Sequence, residues 1–142
     1  MHGMVAARLG QSEMALRYFN ETAAIDLGDT HVAIDGGVHI AALGGIWLTA
    51  VFGFAGLSLR CEVLALEPRL PKTWLRLAFS LQWRGRHLHI RITQVGDEVE
   101  VTLEAGEPMS LFIRGETYRL LGDRPLRVGN GAPEDSKTET VG

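Results

Sequence analysis

The chain has 142 residues, of which 46 % are hydrophobic and 22 % are charged, and its formal net charge at pH 7 is −3. This hydrophobic content excludes a chain that is disordered throughout, and the net negative charge provides no basic field to bind a nucleic acid. The single cysteine, Cys61, excludes an intramolecular disulfide and a cysteine-rich zinc site, and because the sequence begins without a secretory signal pattern we expect a cytoplasmic protein.

The first 27 residues predict two helices joined by a tight turn. Gly10 separates a short apolar pattern, Met4–Leu9, from a longer one, Ser12–Leu27, and Ser12 stands where an N-cap would satisfy free backbone amides. In the longer segment apolar residues recur at three- and four-residue steps, which is typical of an amphipathic helix packed on a partner. Residues 28–37 lack this period and are predicted to form a loop.

Residues 38–54 form an apolar pattern that runs around a whole helix rather than along one stripe. The uncharged run from Gly36 to Leu59 has 24 residues, enough to cross a bilayer, but its six glycines and the lack of flanking basic clusters favour a protein interior. Two short helices cannot cover a whole circumference, so a further wall of polypeptide is predicted. In the isolated chain we expect Ile40, Trp47 and Val51 to be exposed and to cause self-association.

After Gly56 the hydrophobic period changes from 3.6 to 2, which predicts a boundary between a helical region, residues 1–56, and a β module, residues 57–128. Seven strands are predicted in the module, at residues 57–60, 63–66, 74–83, 87–92, 98–104, 109–114 and 117–121. Short strands separated by glycine turns are typical of an antiparallel sandwich resembling a jelly roll, so the predicted fold class is α+β. Residues 129–142 lack apolar anchors and are predicted to be a disordered tail.

Two pairs of residues in the β module are candidate binding sites. His87 and His89 share one face of a strand, the spacing of a metal pair, but no third ligand is close in sequence, which favours a solvated strand face and no metal. Trp74 and Trp83 could form a platform that stacks on a sugar. Trp83 shares its face with the apolar residues of its strand and is predicted to be core, whereas Trp74, on the opposite parity, is predicted to be exposed.

The string Gly36–Gly45 places a glycine-rich turn and His39 before an apolar helix. Free amides at a helix start, joined by an imidazole, favour an anion such as phosphate. The same residues also fit a tight turn followed by a hydrogen-bonded histidine in the core, so residue types alone leave both interpretations open.

Three strings in this order carry a resemblance to a known family: Gly-Val-His-Ile-Ala-Ala-Leu-Gly-Gly at 37–45, Val-Phe-Gly-Phe-Ala-Gly-Leu at 51–57, and Leu-Glu-Pro-Arg-Leu-Pro at 66–71. Together they resemble glycoside hydrolase family 65, the family of maltose, trehalose and kojibiose phosphorylases. The resemblance covers the chain up to about Leu121. It implies the last helices of an (α/α)6 barrel followed by the family's carboxyl-terminal β module.

The resemblance implies an inverting attack of phosphate on an α-linked glucose disaccharide, with no cofactor and with phosphate as co-substrate. His39 and the backbone around Gly44 and Gly45 would bind the phosphate. Ala42 stands where family members often carry a small hydroxyl residue, which counts against tight phosphate binding. Asp35 is a candidate general base that could activate water instead of phosphate, or else a solvated loop acid or a helix cap.

The family's general acid is a glutamate far upstream in the barrel, and Glu13 and Glu21 match no motif for it. We therefore expect the chain to be a carboxyl-terminal fragment that is inactive alone, because proton donation typically contributes about 10² to 10⁴-fold to rate. Its expected partners are the missing part of the barrel or a second copy, and the disaccharide and phosphate in the full enzyme. The alternative is a non-catalytic protein- or glycan-binding module with a helical hairpin like a tetratricopeptide unit, although no second copy of the hairpin is present.

Overall fold

The computed structural model describes residues 1–27 and 40–129, apart from the side chains of Asp26 and Leu27. The helices are α1, His2–Arg8; α2, Ser12–Leu27; and α3, Ile40–Leu48, which continues into a π-helical turn, Thr49–Phe54. The predicted loop at 28–37, with Asp35, lies outside the described residues, as do His39 and the predicted tail from residue 130 onwards.

Eight strands follow the helices. They are β1, Ser58–Arg60; β2, Val63–Leu66; β3, Arg76–Trp83; β4, Arg86–Thr93; β5, Glu98–Ala105; β6, Met109–Ile113; β7, Glu116–Leu120; and β8, Leu126–Val128. They form two four-stranded sheets, in the orders β1-β2-β6-β7 and β3-β4-β5-β8. Neighbouring strands are antiparallel except β2 and β6, which are parallel. The predicted α+β class is confirmed, whereas the predicted count of seven strands missed β8.

The main core lies between the two sheets and follows the period-2 pattern of the sequence. On β4, Leu88, Ile90 and Ile92 are each about 1 % exposed, and on β5 Val99 and Val101 are fully buried. Fully burying a side chain of this size typically stabilises a fold by about 1.5–3 kcal/mol. The alternation of apolar residues therefore both selects the strand conformation and supplies the core.

A second, smaller core joins the helices to the sandwich. Phe54, fully buried in the π-helical turn, lies with its ring centroid 5.0 Å from that of Trp74, and Phe19 of α2 lies 5.1 Å from the same tryptophan. The prediction that Trp74 is exposed is therefore wrong. Trp74 precedes β3, so strand parity does not apply to it, and Leu75, which also precedes β3, is 75 % exposed.

Arg8, the last residue of α1, links the helices to the start of the β module through hydrogen bonds from its guanidinium. Its Nε donates to the carbonyl oxygen of Phe52 at 3.1 Å, and its Nη2 donates to that of Leu57 at 3.0 Å. Its own carbonyl oxygen accepts a hydrogen bond from Nη1 of Arg69 at 3.1 Å. The bonds to Phe52 and from Arg69 satisfy carbonyls near helix ends, and the bond to Leu57 reaches the residue before β1. The division between residues 56 and 57 as a domain boundary stays a prediction.

The apolar helix is exposed along its first part and buried along its second. Ile40 is 81 % exposed and Trp47 49 %, as predicted for a helix that lacks a wall, whereas Val51 and Phe54 are buried. The prediction for Val51 is wrong because the sandwich covers the π-helical turn. The prediction counted only the two short helices as possible neighbours. Within the described ranges, no helix combines the length and the apolar run that a bilayer crossing requires.

The two-residue turn between β1 and β2 supports a stability prediction. Cys61 and Glu62 have φ values of 47° and 65°, a conformation that Asn-Gly adopts at much lower cost in such hairpins. We expect the double substitution Cys61→Asn, Glu62→Gly to raise the free energy of unfolding by about 1 kcal/mol in urea titrations. Glu62→Ala is the control, because it removes the exposed ion pair with Arg84 but keeps the strained turn. A double variant no more stable than the parent chain would contradict this account.

Candidate functional site

The candidate anion site is the string Gly36–Gly45, of which the structure describes the part from Ile40 onwards, within α3. Gly44 and Gly45 lie inside α3, where their amides are used by the helix itself. The assignment of phosphate to His39, Gly44 and Gly45 stays a prediction.

The two glycines instead leave space beside the helix. Among the described residues, a Cβ atom at Gly44 would meet nothing within 4 Å, and one at Gly45 would touch only Cγ2 of Thr22, at 3.8 Å. Neither glycine has a positive φ. Glycine inside a helix typically costs about 0.5–1 kcal/mol relative to alanine. Among the described residues, no atom lies close enough to require glycine at either position. The two glycines are therefore consistent with a surface that a ligand or another segment approaches closely.

Two threonine hydroxyls flank Gly45, but both donate to backbone carbonyls. Thr49, 4 % exposed, donates from Oγ1 to the carbonyl oxygen of Gly45 at 2.8 Å, and Thr22 donates to that of Tyr18 at 2.7 Å. Each hydroxyl has one proton, so neither replaces the hydroxyl expected at Ala42. Thr49 is not among the site residues predicted from the sequence. The signal for it is a threonine four residues after a glycine in an apolar run.

Two models of one family match the chain in order. The model described as the Glycosyl hydrolase family 65 central catalytic domain matches residues 1–48, and that of the Glycosyl hydrolase family 65, C-terminal domain matches residues 57–120. The chain belongs to glycoside hydrolase family 65. The resemblance read from the three sequence strings is thereby confirmed.

Two curated relatives of this family 65 chain are named as phosphorylases. The alpha,alpha-trehalose phosphorylase of Geobacillus stearothermophilus is 38 % identical over 125 residues, which cover 88 % of this chain and 16 % of the relative. The kojibiose phosphorylase of Escherichia coli (strain K12) is 39 % identical over 130 residues, 92 % of this chain and 17 % of the relative. The chain thus spans about one sixth of the length of these relatives.

A solved structure described as a putative kojibiose phosphorylase from human microbiome superposes on the chain with a TM-score of 0.80. The two sequences are 23 % identical, and the match covers 95 % of this chain and 19 % of the other. At this identity the likeness supports the fold: helices followed by a two-sheet module.

The acidic side chains described in the helices are placed unlike a catalytic acid. Glu13 is exposed near the start of α2, and Glu21 forms an exposed ion pair with Arg17 at 2.8 Å. Both glutamates face solvent, so neither lies in an apolar pocket of the kind that holds a general acid.

His87 and His89 lie on the outer face of β4. Nδ1 of His89 lies 3.2 Å from Oγ of Ser80, and beside it Glu100 accepts from Arg91 at 3.0 Å and from Arg127 at 2.8 Å. In the parts of the chain that the structure describes, no three histidine, cysteine or acidic side chains are grouped to hold a metal. This face of the family 65 chain carries ion pairs between strands.

Proposed function

We propose that this family 65 chain forms the phosphate side of the active site in an inverting phosphorylase that cleaves an α-linked glucose disaccharide. The observation that carries the proposal is the ordered match of both family models, together with relatives named as trehalose and kojibiose phosphorylases. A non-catalytic binding module is not favoured, because the helices match the catalytic-domain model.

In this proposal His39 and the backbone around Gly44 and Gly45 bind phosphate, and among the described residues nothing lies within 4 Å of a Cβ at Gly44 to block its approach to the helix. A glycine-rich turn with an imidazole before an apolar helix favours an anion. A phosphate oxygen forms a bond to the anomeric carbon as the glycosidic carbon–oxygen bond on the opposite face breaks. A carboxylic acid gives its proton to the leaving oxygen, so an α-glucoside yields β-glucose 1-phosphate and a free sugar.

The acid and the glucose-binding residues are proposed to come from polypeptide outside these 142 residues. This accords with the positions of Glu13 and Glu21, and with the exposed apolar face of α3 at Ile40, Leu43 and Trp47. An exposed face of this kind marks a surface that a further element covers. We propose that the remaining helices of a catalytic domain pack there.

A chimera tests the proposed reaction. This chain replaces the matching region of the E. coli kojibiose phosphorylase, to which it is 39 % identical over 130 residues. We expect phosphate-dependent formation of β-glucose 1-phosphate, identified by the anomeric proton signal, and no product from the 142-residue chain alone. Release of free glucose without phosphate consumption would show hydrolysis, and a folded but inactive chimera would count against the proposal.

His39→Ala in the active chimera tests the phosphate site. We expect the KM for phosphate to rise by about 10- to 100-fold, because a hydrogen bond to a charged group typically contributes about 1.5–3 kcal/mol. The KM for the disaccharide should change much less. His87→Ala is the control, since His87 is exposed on β4, and it should leave both constants unchanged. Equal losses for both substrates would remove His39 from the phosphate site.

Gly44→Ala distinguishes an effect of this glycine on the stability of the chain from an effect on phosphate binding. Its Cβ would meet nothing in the described structure, so we expect the substitution to raise the free energy of unfolding of the chain by about 0.5–1 kcal/mol. In the active chimera the same methyl group should hinder phosphate and raise its KM by at least about tenfold, the effect of losing about 1.4 kcal/mol. A stabilised variant with an unchanged KM for phosphate would show that nothing approaches Gly44.

A further inference from the structure

A pocket of about 160 Å³ lies at one end of the sandwich, where the loop after β2 passes the end of β4. We name it the sheet-end pocket; residues 68–70, residues 92–94 and Asp97 line it. At about 30 Å³ per water molecule it has room for about five waters, below the range of about 300–1,000 Å³ typical of drug-sized ligands. Its size therefore suits a small molecule.

Two uncharged side chains of the sheet-end pocket are available for hydrogen bonding. Among the described residues, the side chains of Thr93 and Gln94 have no hydrogen-bonding partner. A hydroxyl and an amide together offer both donors and acceptors. Ile92 is 1 % exposed, so its side chain belongs to the core and the surface of the pocket is mostly polar. A mostly polar lining of this kind matches a molecule with several hydroxyl groups.

The charges at the sheet-end pocket disfavour an ionic ligand. Arg69 already donates to the carbonyl oxygen of Arg8, and Asp97 is paired with Arg114 at 2.6 Å. An anion would face the carboxylate of Asp97, and a cation would face the guanidinium of Arg69. We propose that the sheet-end pocket binds a neutral polyhydroxylated molecule of monosaccharide size, at a site separate from α3.

The test uses the full 142-residue chain, with D-glucose as the probe and the backbone amide shifts in nitrogen-15 spectra as the readout. At about 0.3 kcal/mol per heavy atom, a molecule of this size should bind with a Kd on the order of 1–5 mM. We expect saturable shifts at residues 92–97. Gln94→Ala and Thr93→Val should each raise the Kd about fivefold, the effect of losing one neutral hydrogen bond.

Gln82→Ala is the matched control, because Gln82 is exposed on β3 and should leave the Kd unchanged. Three results would overturn the proposal: shifts that do not saturate, shifts confined to α3, or variants at 93 and 94 that bind glucose as well as the parent chain does. Inorganic phosphate saturating the same amides would overturn the assignment to a neutral ligand. None of these outcomes depends on the phosphorylase activity proposed above.

Discussion

Gly56→Ala is expected to lower the free energy of unfolding of the chain by about 4 kcal/mol or more, a large share of the 5–15 kcal/mol typical of a domain. Gly56 has a φ of +63°, and a Cβ there would overlap the carbonyl oxygen of Glu67 and lie 2.6 Å from its carbonyl carbon. The amide of Glu67 also donates to the carbonyl oxygen of Gly56 at 3.3 Å, so two backbone segments would have to separate.

Gly115→Ala provides the control for this prediction. Gly115 has a φ of +84°, but a Cβ there would meet nothing within 4 Å. This variant should cost only the strain of the left-handed conformation, about 1–2 kcal/mol. Urea unfolding followed by tryptophan fluorescence measures both losses. If the two losses were equal, close contact with Glu67 would not be what requires glycine at 56.

Phe54→Ala is expected to cost about 4 kcal/mol, within the range usual for removing a buried phenylalanine. Its ring is fully buried and lies near Phe19 of α2 and Trp74 of the sandwich, with centroids 6.0 Å and 5.0 Å away. The substitution should therefore loosen the helices from the β module as well as leave a cavity. The fluorescence of Trp74 should change in the folded state.

Phe52→Ala is the comparison for Phe54. Phe52 lies in the same π-helical turn but is only partly buried, with its ring 5.6 Å from that of Trp47. We expect a loss of about 1–2 kcal/mol, because a half-buried ring removes less surface from water. A larger loss for Phe52 than for Phe54 would mean that the second core does not hold the helices to the sandwich.

The strands of the β module were largely predictable from alternation alone. The sequence pattern places β2 at the residues where the structure has it and β3 to β7 within about two residues at each end. The pattern missed β8, because Leu126–Val128 is three residues long and pairs only with β5, far away in sequence. Trp74 was misassigned for a related reason: parity describes residues inside a strand, and β3 begins at Arg76.

The candidate site was predictable only in part. Residue types at 36–45 suggest an anion site, and the family resemblance names His39, Gly44 and Gly45, but neither states which amides are free. The structure places Gly44 and Gly45 inside α3, where the helix itself uses their amides. The bond from Thr49 to Gly45 likewise appears only once the helix is built.

The sequence by itself determined the α+β class, the helical and strand periods and the family, because period and motif are properties of neighbouring residues. Only the tertiary structure decided what covers each apolar face: the sandwich and α1 bury Val51 and Phe54, while Ile40 and Trp47 remain exposed. The physical reason is that burial depends on contacts between residues far apart in the chain, such as Phe19, Phe54 and Trp74, which no local pattern encodes.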